Sequence, residues 1–584
     1  MDAIRVGTIE ELQKAGQLLT KVENRPVLVV WHEGSAHALD DRCPHLGFPL
    51  HQGSIESGLV TCHWHHARFD LSSGCTLDPW ADDAEGYDVE LRDGEVLVAP
   101  RPVRGRAAGL HKRLQQGLED GLTLVTAKAT LGLVDGGTPA VDILRTGLTF
   151  GARQRASGWG AGMTVLVAMG NVAPVLNPAS TGLALVHGLA FVARDVAGQP
   201  PRYTLDPLSG SGASAARLTE WYRRFVDSRN GDGAERALAT MIERNQLVEA
   251  EMAMFAAATD HVFIDGGHTL DFTNKAFEAL GHIGVEHAGL LLPTLVGETA
   301  AAERAEESLE WRHPIDLVAL AREAEGRLPE ALASGDAARL AGRALRDEEV
   351  GELGWRLLAD DPEDVVDHLV EALSEGATHE QVARAVAFAA ALRITRFHTQ
   401  NDHADWNEVH HAFTTANAVH QAIGRRPTVE LLRGVIQGAL RVYLDRFMNI
   451  PAARLPRAAT GGLALLGECW DRQGAVDEAG GLVYGHLRSG GDPAEVLAIL
   501  GAALLAEDAG FHWYQVYEAA VRQHSAWPAG SEEGRLILVG LARFLAAHTP
   551  TRRELPRVVN IARRLRRGEP LYEANEAAED GSAS

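Results

Sequence analysis

Two short segments decide how this chain is read: Cys43-Pro44-His45 and, sixteen residues further on, Cys62-His63-Trp64-His65. Each offers one thiolate and one imidazole. Two kinds of metal centre use two sulfur and two nitrogen donors. One is tetrahedral zinc; the other is a two-iron, two-sulfide cluster with both thiolates on one iron and both imidazoles on the other. Zinc fingers with this donor count keep their cysteines together and place both histidines on a helix. Here each segment mixes the two donor types, which favours the cluster, with Cys43, His45, Cys62 and His65 as its ligands. Gly47, Gly53 and Gly58 supply freedom for tight turns around such a centre.

The flanking sequence reads as short strands. Pro26–Trp31 and Ala36–Asp40 are apolar runs separated by Glu33-Gly34-Ser35. Tyr87–Leu91 and Glu95–Ala99 flank Arg92-Asp93-Gly94, where the Asp-Gly pair signals a hairpin. Residues 1–102 are therefore expected to form a small antiparallel all-β domain, followed by a linker over 103–110. From 111 to 570 the pattern changes to Ala, Leu, Glu and Arg at helical spacing, as in Asp364–Leu373 and Leu536–Leu545. The fold class expected is thus a multidomain chain, an all-β domain followed by a large all-α one. A loop is expected from Gly198 to Ala213, and a disordered acidic tail over 571–584. Gly376, Val382, Phe397 and His398 match Gly490, Val496, Phe511 and His512 at a constant offset, which suggests helical repeat units near 376–420 and 490–530.

Composition narrows the function classes. The 584 residues carry a net charge of −24, which disfavours nucleic acid and anionic membrane surfaces as partners. The basic stretch Arg563–Arg567 reads as a solvated helix end. No secretory leader and no membrane-length apolar run is read, so a cytoplasmic location is expected. With four cysteines, two of them assigned to the metal centre, a disulfide framework is not expected. Cys75 is expected to be a small packing residue. His51, His63 and His66 are expected on the surface of the ligand loops.

The stretches Cys43-Pro44-His45-Leu46-Gly47-Phe48-Pro49-Leu50 and Cys62-His63-Trp64-His65-His66-Ala67-Arg68-Phe69-Asp70 resemble the Rieske ferredoxin and Rieske oxygenase group over residues 4–100. The resemblance implies a [2Fe–2S] cluster, with Cys43 and Cys62 on the inner iron and His45 and His65 on the exposed one. Respiratory-chain Rieske proteins add a disulfide between the loops, at positions held here by Phe48 and Trp64. They also place a Ser and a Tyr where this chain has Ala67 and Phe69. Hydrogen bonds to sulfur stabilise the reduced cluster, so their loss implies a potential near the low end of the range, roughly −150 mV.

The helical part is rich in histidine. His261, His268, Asp271, His398, Glu507 and His512 are candidate ligands or catalytic groups for a second, non-heme iron site. The alternative is that they serve capping, side-chain pairing such as Asp271–Lys275 or Glu278–His282, and buried hydrogen bonding. Asp405 with Glu408 reads as a helix-start pair that puts His410, Thr414 and Asn417 on one face. Asp265-Gly266-Gly267-His268 matches the first half of the Rieske oxygenase iron motif, but Thr273 stands where its second His belongs. Segments His261–Glu278 and His398–Ala418 are similar to questin oxidase-like proteins, which insert oxygen. The helix opening at Gly376 is similar to those of carboxymuconolactone decarboxylases.

The expected function is an oxidoreductase, oxygenase-like, in which the cluster passes single electrons to a site in the helical part that acts on a small organic substrate. The alternatives are a redox-responsive binding protein, or an electron-transfer ferredoxin with a large docking domain. No strand-to-helix Gly-x-Gly-x-x-Gly fingerprint is present, so a separate reductase or ferredoxin is expected as electron donor.

Overall fold

A computed structural model describes residues 3–102, 106–567 and 569. The chain divides into two compact units, one made of Met1–Thr138 with Leu555–Ser584, the other of Pro139–Glu554. The expected tail, 571–584, lies outside the described residues, as do 103–105 of the expected linker. The rest of that linker is a correction: from Arg106 it is already helix, Arg106–Glu119.

Among the described residues the first unit has ten strands: β1 Ile4–Thr8, β2 Gln17–Val22, β3 Arg25–His32, β4 Ser35–Asp40, β5 Ser54–Glu56, β6 Leu59–Thr61, β7 Arg68–Asp70, β8 Gly86–Tyr87, β9 Val89–Arg92 and β10 Glu95–Val98. They form three antiparallel sheets in the orders β1-β10-β9, β2-β3-β4-β8 and β5-β6-β7. Asp93 and Gly94 both have positive φ, as the tight β9–β10 hairpin requires. Alternating faces of β3 divide its apolar residues between two cores. Leu28 and Val30 pack with Leu39, Leu50, Val60 and Phe69; Val27 and Val29 pack with Leu12, Tyr87, Val96 and Val98. Cys43 and Cys62 belong to the first core, so it anchors both ligand loops. Helices Arg106–Glu119 and Thr123–Asp135 pack on one another in the same unit.

The second unit is helical. Its centre is the helix His379–Thr395, where Ala383, Ala385, Ala387, Ala389, Ala390 and Ala391 are all buried. Small side chains let neighbouring helices approach, and His410–Arg425, Val429–Leu444 and Glu532–His548 pack against it. The helices His268–Ile283 and Phe511–Ser525 each pack on His410–Arg425. The stretch 199–214 is free of helix, as expected. No helix among the described residues is long and apolar enough to cross a membrane.

The gapless repeat does not extend through its last pair. Gly376 and Gly490 both have positive φ and both precede capped helices. However, Phe397 and His398 follow their helix in a loop, whereas Phe511 and His512 open the next one.

Candidate functional site

The two ligand loops have the same backbone plan. Cys43 N–H donates to Phe48 O at 2.8 Å, and Cys62 N–H donates to Ala67 O at 2.8 Å. Gly47 N–H donates to Cys43 O and His66 N–H to Cys62 O, closing each loop at the fourth residue. Gly53 allows the segment after the first loop to pass close by, since a Cβ there would lie 2.2 Å from Thr61 O. The first loop leaves β4, and the second joins β6 to β7.

These loops bring Cys43 and Cys62 together in the core, where each is about 1% exposed. The N–H groups of His45 and Leu46 point at the Cys43 sulfur, and those of Trp64 and His65 at the Cys62 sulfur. Such donors favour thiolate. The hydrogen bond from Cys43 holds the Cys62 thiol down to about 6, while the same contact and burial push Cys43 up. The His45 and His65 rings lie 4.8 Å apart, centroid to centroid. Burial, the neighbouring His65 and Lys128 lower His45 to about 4, so it is neutral. Its Nδ1 is buried without a hydrogen-bond partner, a nitrogen left for a metal. Buried sulfur and an exposed His65 fit an inner thiolate-bound iron and an outer imidazole-bound one.

Comparison with known proteins agrees. The family model for the Rieske [2Fe-2S] domain matches residues 2–88. The ferredoxin subunit of 3-phenylpropionate/cinnamic acid dioxygenase from Photorhabdus laumondii is 35% identical over 101 residues, covering 17% of this chain and 94% of that protein. The chain belongs to the Rieske family. A human Rieske domain-containing protein is 34% identical over 76 residues, 12% of this chain; the chain spans 48% of that relative. The ferredoxin of carbazole 1,9a-dioxygenase from Nocardioides aromaticivorans is 29% identical, with 17% of this chain and 100% of that one covered at a TM-score of 0.17. The Rieske domain implies a [2Fe–2S] cluster. Relatives of this domain are electron-transfer or oxygenase components.

Around the Rieske ligands two expectations change. Cys75 is exposed, not packed. His63 and His66 are exposed, but His51 is half-buried, its Nδ1 2.7 Å from Asp41 Oδ2.

In the helical unit, three imidazoles converge. Donor atoms of His268, His411 and His512 all lie within 4.8 Å of one another, and the Nε2 atoms of His411 and His512 are 3.4 Å apart. His268 and His512 are stacked, with their rings 10° from parallel. Phe272 and Phe511 pack against His268. Burial first, then mutual repulsion, lowers His268 to about 4 and His512 to about 2. Neutral imidazoles in an apolar setting are ready ligands. Glu408 Oε2 lies 3.4 Å from His411 Nδ1, on the far side of the ring from His512; such a carboxylate fixes the tautomer of a metal ligand. His410 is fully buried beside the group, with both ring nitrogens unpartnered.

His268 is placed by an unusual turn: Phe263, Asp265, Gly266 and Gly267 all have positive φ. A Cβ on Gly267 would meet Thr415 Oγ1 at 1.9 Å, so glycine sets the approach of this turn to the His410 helix.

The other candidates go elsewhere. Asp271 lies one helical turn from His268 and accepts a hydrogen bond from Gln515; burial raises its carboxyl to about 7. His261 Nδ1 pairs with Glu306 at 2.9 Å. His398 Nδ1 accepts from Gln400 N–H within its loop. Glu507 binds Thr551 and Arg553. The expected Asp405–Glu408 helix start is also corrected: Asp402 is the cap and Asp405 its partner. Of the two pairings considered for this region, Lys275 bonds Glu278 and Glu518 at 3.0 and 3.1 Å, and His282 pairs with Asn171. His410, Thr414 and Asn417 do share a buried face.

His411 is the residue missed from sequence. Its signal was the His410-His411 pair at a helix start, where adjacent side chains diverge by about 100°.

Proposed function

We propose that this chain is an iron–sulfur oxidoreductase whose Rieske cluster passes single electrons to a metal ion held by His268, His411 and His512, for oxygenation of a small organic substrate. The observation that carries it is the convergence of three imidazoles from three helices in a chain that also bears a Rieske domain. Three histidines with an open position are a catalytic donor set, and imidazole suits iron, copper and zinc alike. An electron carrier serves no purpose beside redox-inert zinc, which leaves a redox-active ion, iron or copper; iron is the one we propose.

The cluster would supply one-electron reduction. The chain's own groups would do the rest. His268, His411 and His512 would hold the ion, Glu408 would orient His411, and Phe272 and Phe511 would wall the His268 ring. Asp271, whose carboxyl burial raises to about 7, can hold or release a proton one turn away. A separate reductase or ferredoxin would supply the electrons, as befits a chain without a dinucleotide fingerprint.

Iron and acid-labile sulfide per chain test the reading. Three irons with two sulfides are expected after anaerobic purification. His512→Ala should return two irons and leave the visible spectrum of the cluster unchanged. Two irons in the parent protein, with no other metal, would instead favour an electron-transfer ferredoxin with a docking domain.

A further inference from the structure

Lys128 is a lysine in an unlikely place. It sits in the helix Thr123–Asp135 at 8% exposure, and long charged side chains are rarely so buried unless paired. Its Nζ donates at 2.7 Å to Pro44 O, the carbonyl between the two ligands Cys43 and His45. The same ammonium pairs with Asp82. Asp82 is shared: Arg113, from the helix Arg106–Glu119, donates its Nε to Asp82 Oδ1 at 2.9 Å. Arg113 also donates to Pro79 O and Ala81 O, the carbonyls flanking Trp80. Trp80 packs edge-on to His45, with centroids 4.8 Å apart. Two helices that follow the β-domain thus grip the His45 loop, one directly at Pro44 and the other through the segment that carries Trp80.

Within this grip two cations share the Asp82 carboxylate, with Asp40, Asp83, Glu85, Arg42 and Arg566 lining the same pocket, and the Lys128 ammonium is the cation that touches the ligand loop. A neutral donor would satisfy Pro44 O equally well, so hydrogen bonding alone does not account for a buried lysine. Reduction adds one negative charge to the cluster, and nearby positive charge in a partly desolvated setting favours that state.

We propose that Lys128 is a positioning residue that sets the reduction potential of the Rieske cluster, raising it against the lowering expected from the missing hydroxyls at Ala67 and Phe69. The proposal rests on the Rieske reading of the N-terminal unit. It ties the cluster's driving force to the helical segment after the β-domain, which is more than a ferredoxin fold contains.

The test is the midpoint potential of the full-length protein, measured by dye-mediated titration of the cluster's visible bands. Lys128→Met should shift the reduction equilibrium toward the oxidised form by up to about tenfold, or about 59 mV for a one-electron couple. Lys128→Arg should recover most of the shift. Asp82→Asn, which removes the counter-charge, should move the potential the opposite way. A fully loaded Lys128→Met protein with the parent potential would overturn the proposal. If Lys128→Met loses its cluster, Asp82→Asn decides: a raised potential supports the role, and an unchanged or lowered one refutes it. Failure of the Rieske reading looks different, since the parent protein would then be colourless and without sulfide.

Discussion

Gly47 and His66 occupy the same position in two equivalent loops. Each stands four residues after a cysteine, each closes its loop by donating to that cysteine's carbonyl, and each has left-handed backbone, with φ of 81° and 64°. Glycine adopts this conformation freely, but a residue with a Cβ loses about 1–2 kcal/mol. Replacing His66 by Gly should therefore leave the cluster spectrum unchanged and stabilise the first unit by about 1 kcal/mol, once the greater freedom of unfolded glycine is counted. Gly47→Ala should destabilise it by a similar amount. Thermal melts of the cluster's visible bands would show both effects.

A methyl group on Gly267 would collide with Thr415. Combined with a φ of +95°, this predicts that Gly267→Ala destabilises the helical unit by roughly 3 kcal/mol and lowers the affinity of the proposed three-histidine site for metal. Gly267→Ala with Thr415→Ala should recover the part due to the clash and leave the backbone strain. Denaturant melts of the double and single variants, with iron counts, separate the two contributions.

Asp271 makes stability depend on pH. Its carboxyl titrates near 7 in the folded chain, because burial disfavours the anion, and near 4 when unfolded. The folded state therefore holds the proton more tightly. The resulting stabilisation is complete below about pH 4 and is lost as pH rises to about 7, on the order of 4 kcal/mol across the window. Asp271→Asn should flatten that part of the stability profile. A profile identical to the parent's would show that Asp271 is ionised throughout.

Glu408 holds His411 from behind. Loss of such a partner typically lowers metal affinity 10- to 100-fold. Glu408→Gln should show that loss in a competition titration with a chelator, while the Rieske bands stay constant.

The two sites differed in how far they could be read from sequence. All four proposed cluster ligands fall between Cys43 and His65, and each loop closes on itself through its own backbone. Local geometry there follows from local sequence. In the helical unit the donors come from three helices far apart in the chain, and helical periodicity says which residues share a face but not which faces meet. His268 and His512 stood out as histidines close in sequence to other candidate donors, His261 and Asp271 for the first and Glu507 for the second. His411 did not, because His410 carried the more regular pattern with Thr414 and Asn417. His261, His398, Glu507 and Asp271 looked equally suitable until each proved to have a nearby partner. Likewise, the fall in potential expected from Ala67 and Phe69 could be inferred from the motif, but Lys128 lies 84 positions from Pro44 and carries no motif.

The triad spans from His268 to His512, so its third donor is made only once synthesis has reached the helix Phe511–Ser525. An ion bound there would have its full donor set only in the completed helical unit. Oxidising chemistry would then be withheld from nascent and half-folded chains, whose exposed side chains are the most easily damaged.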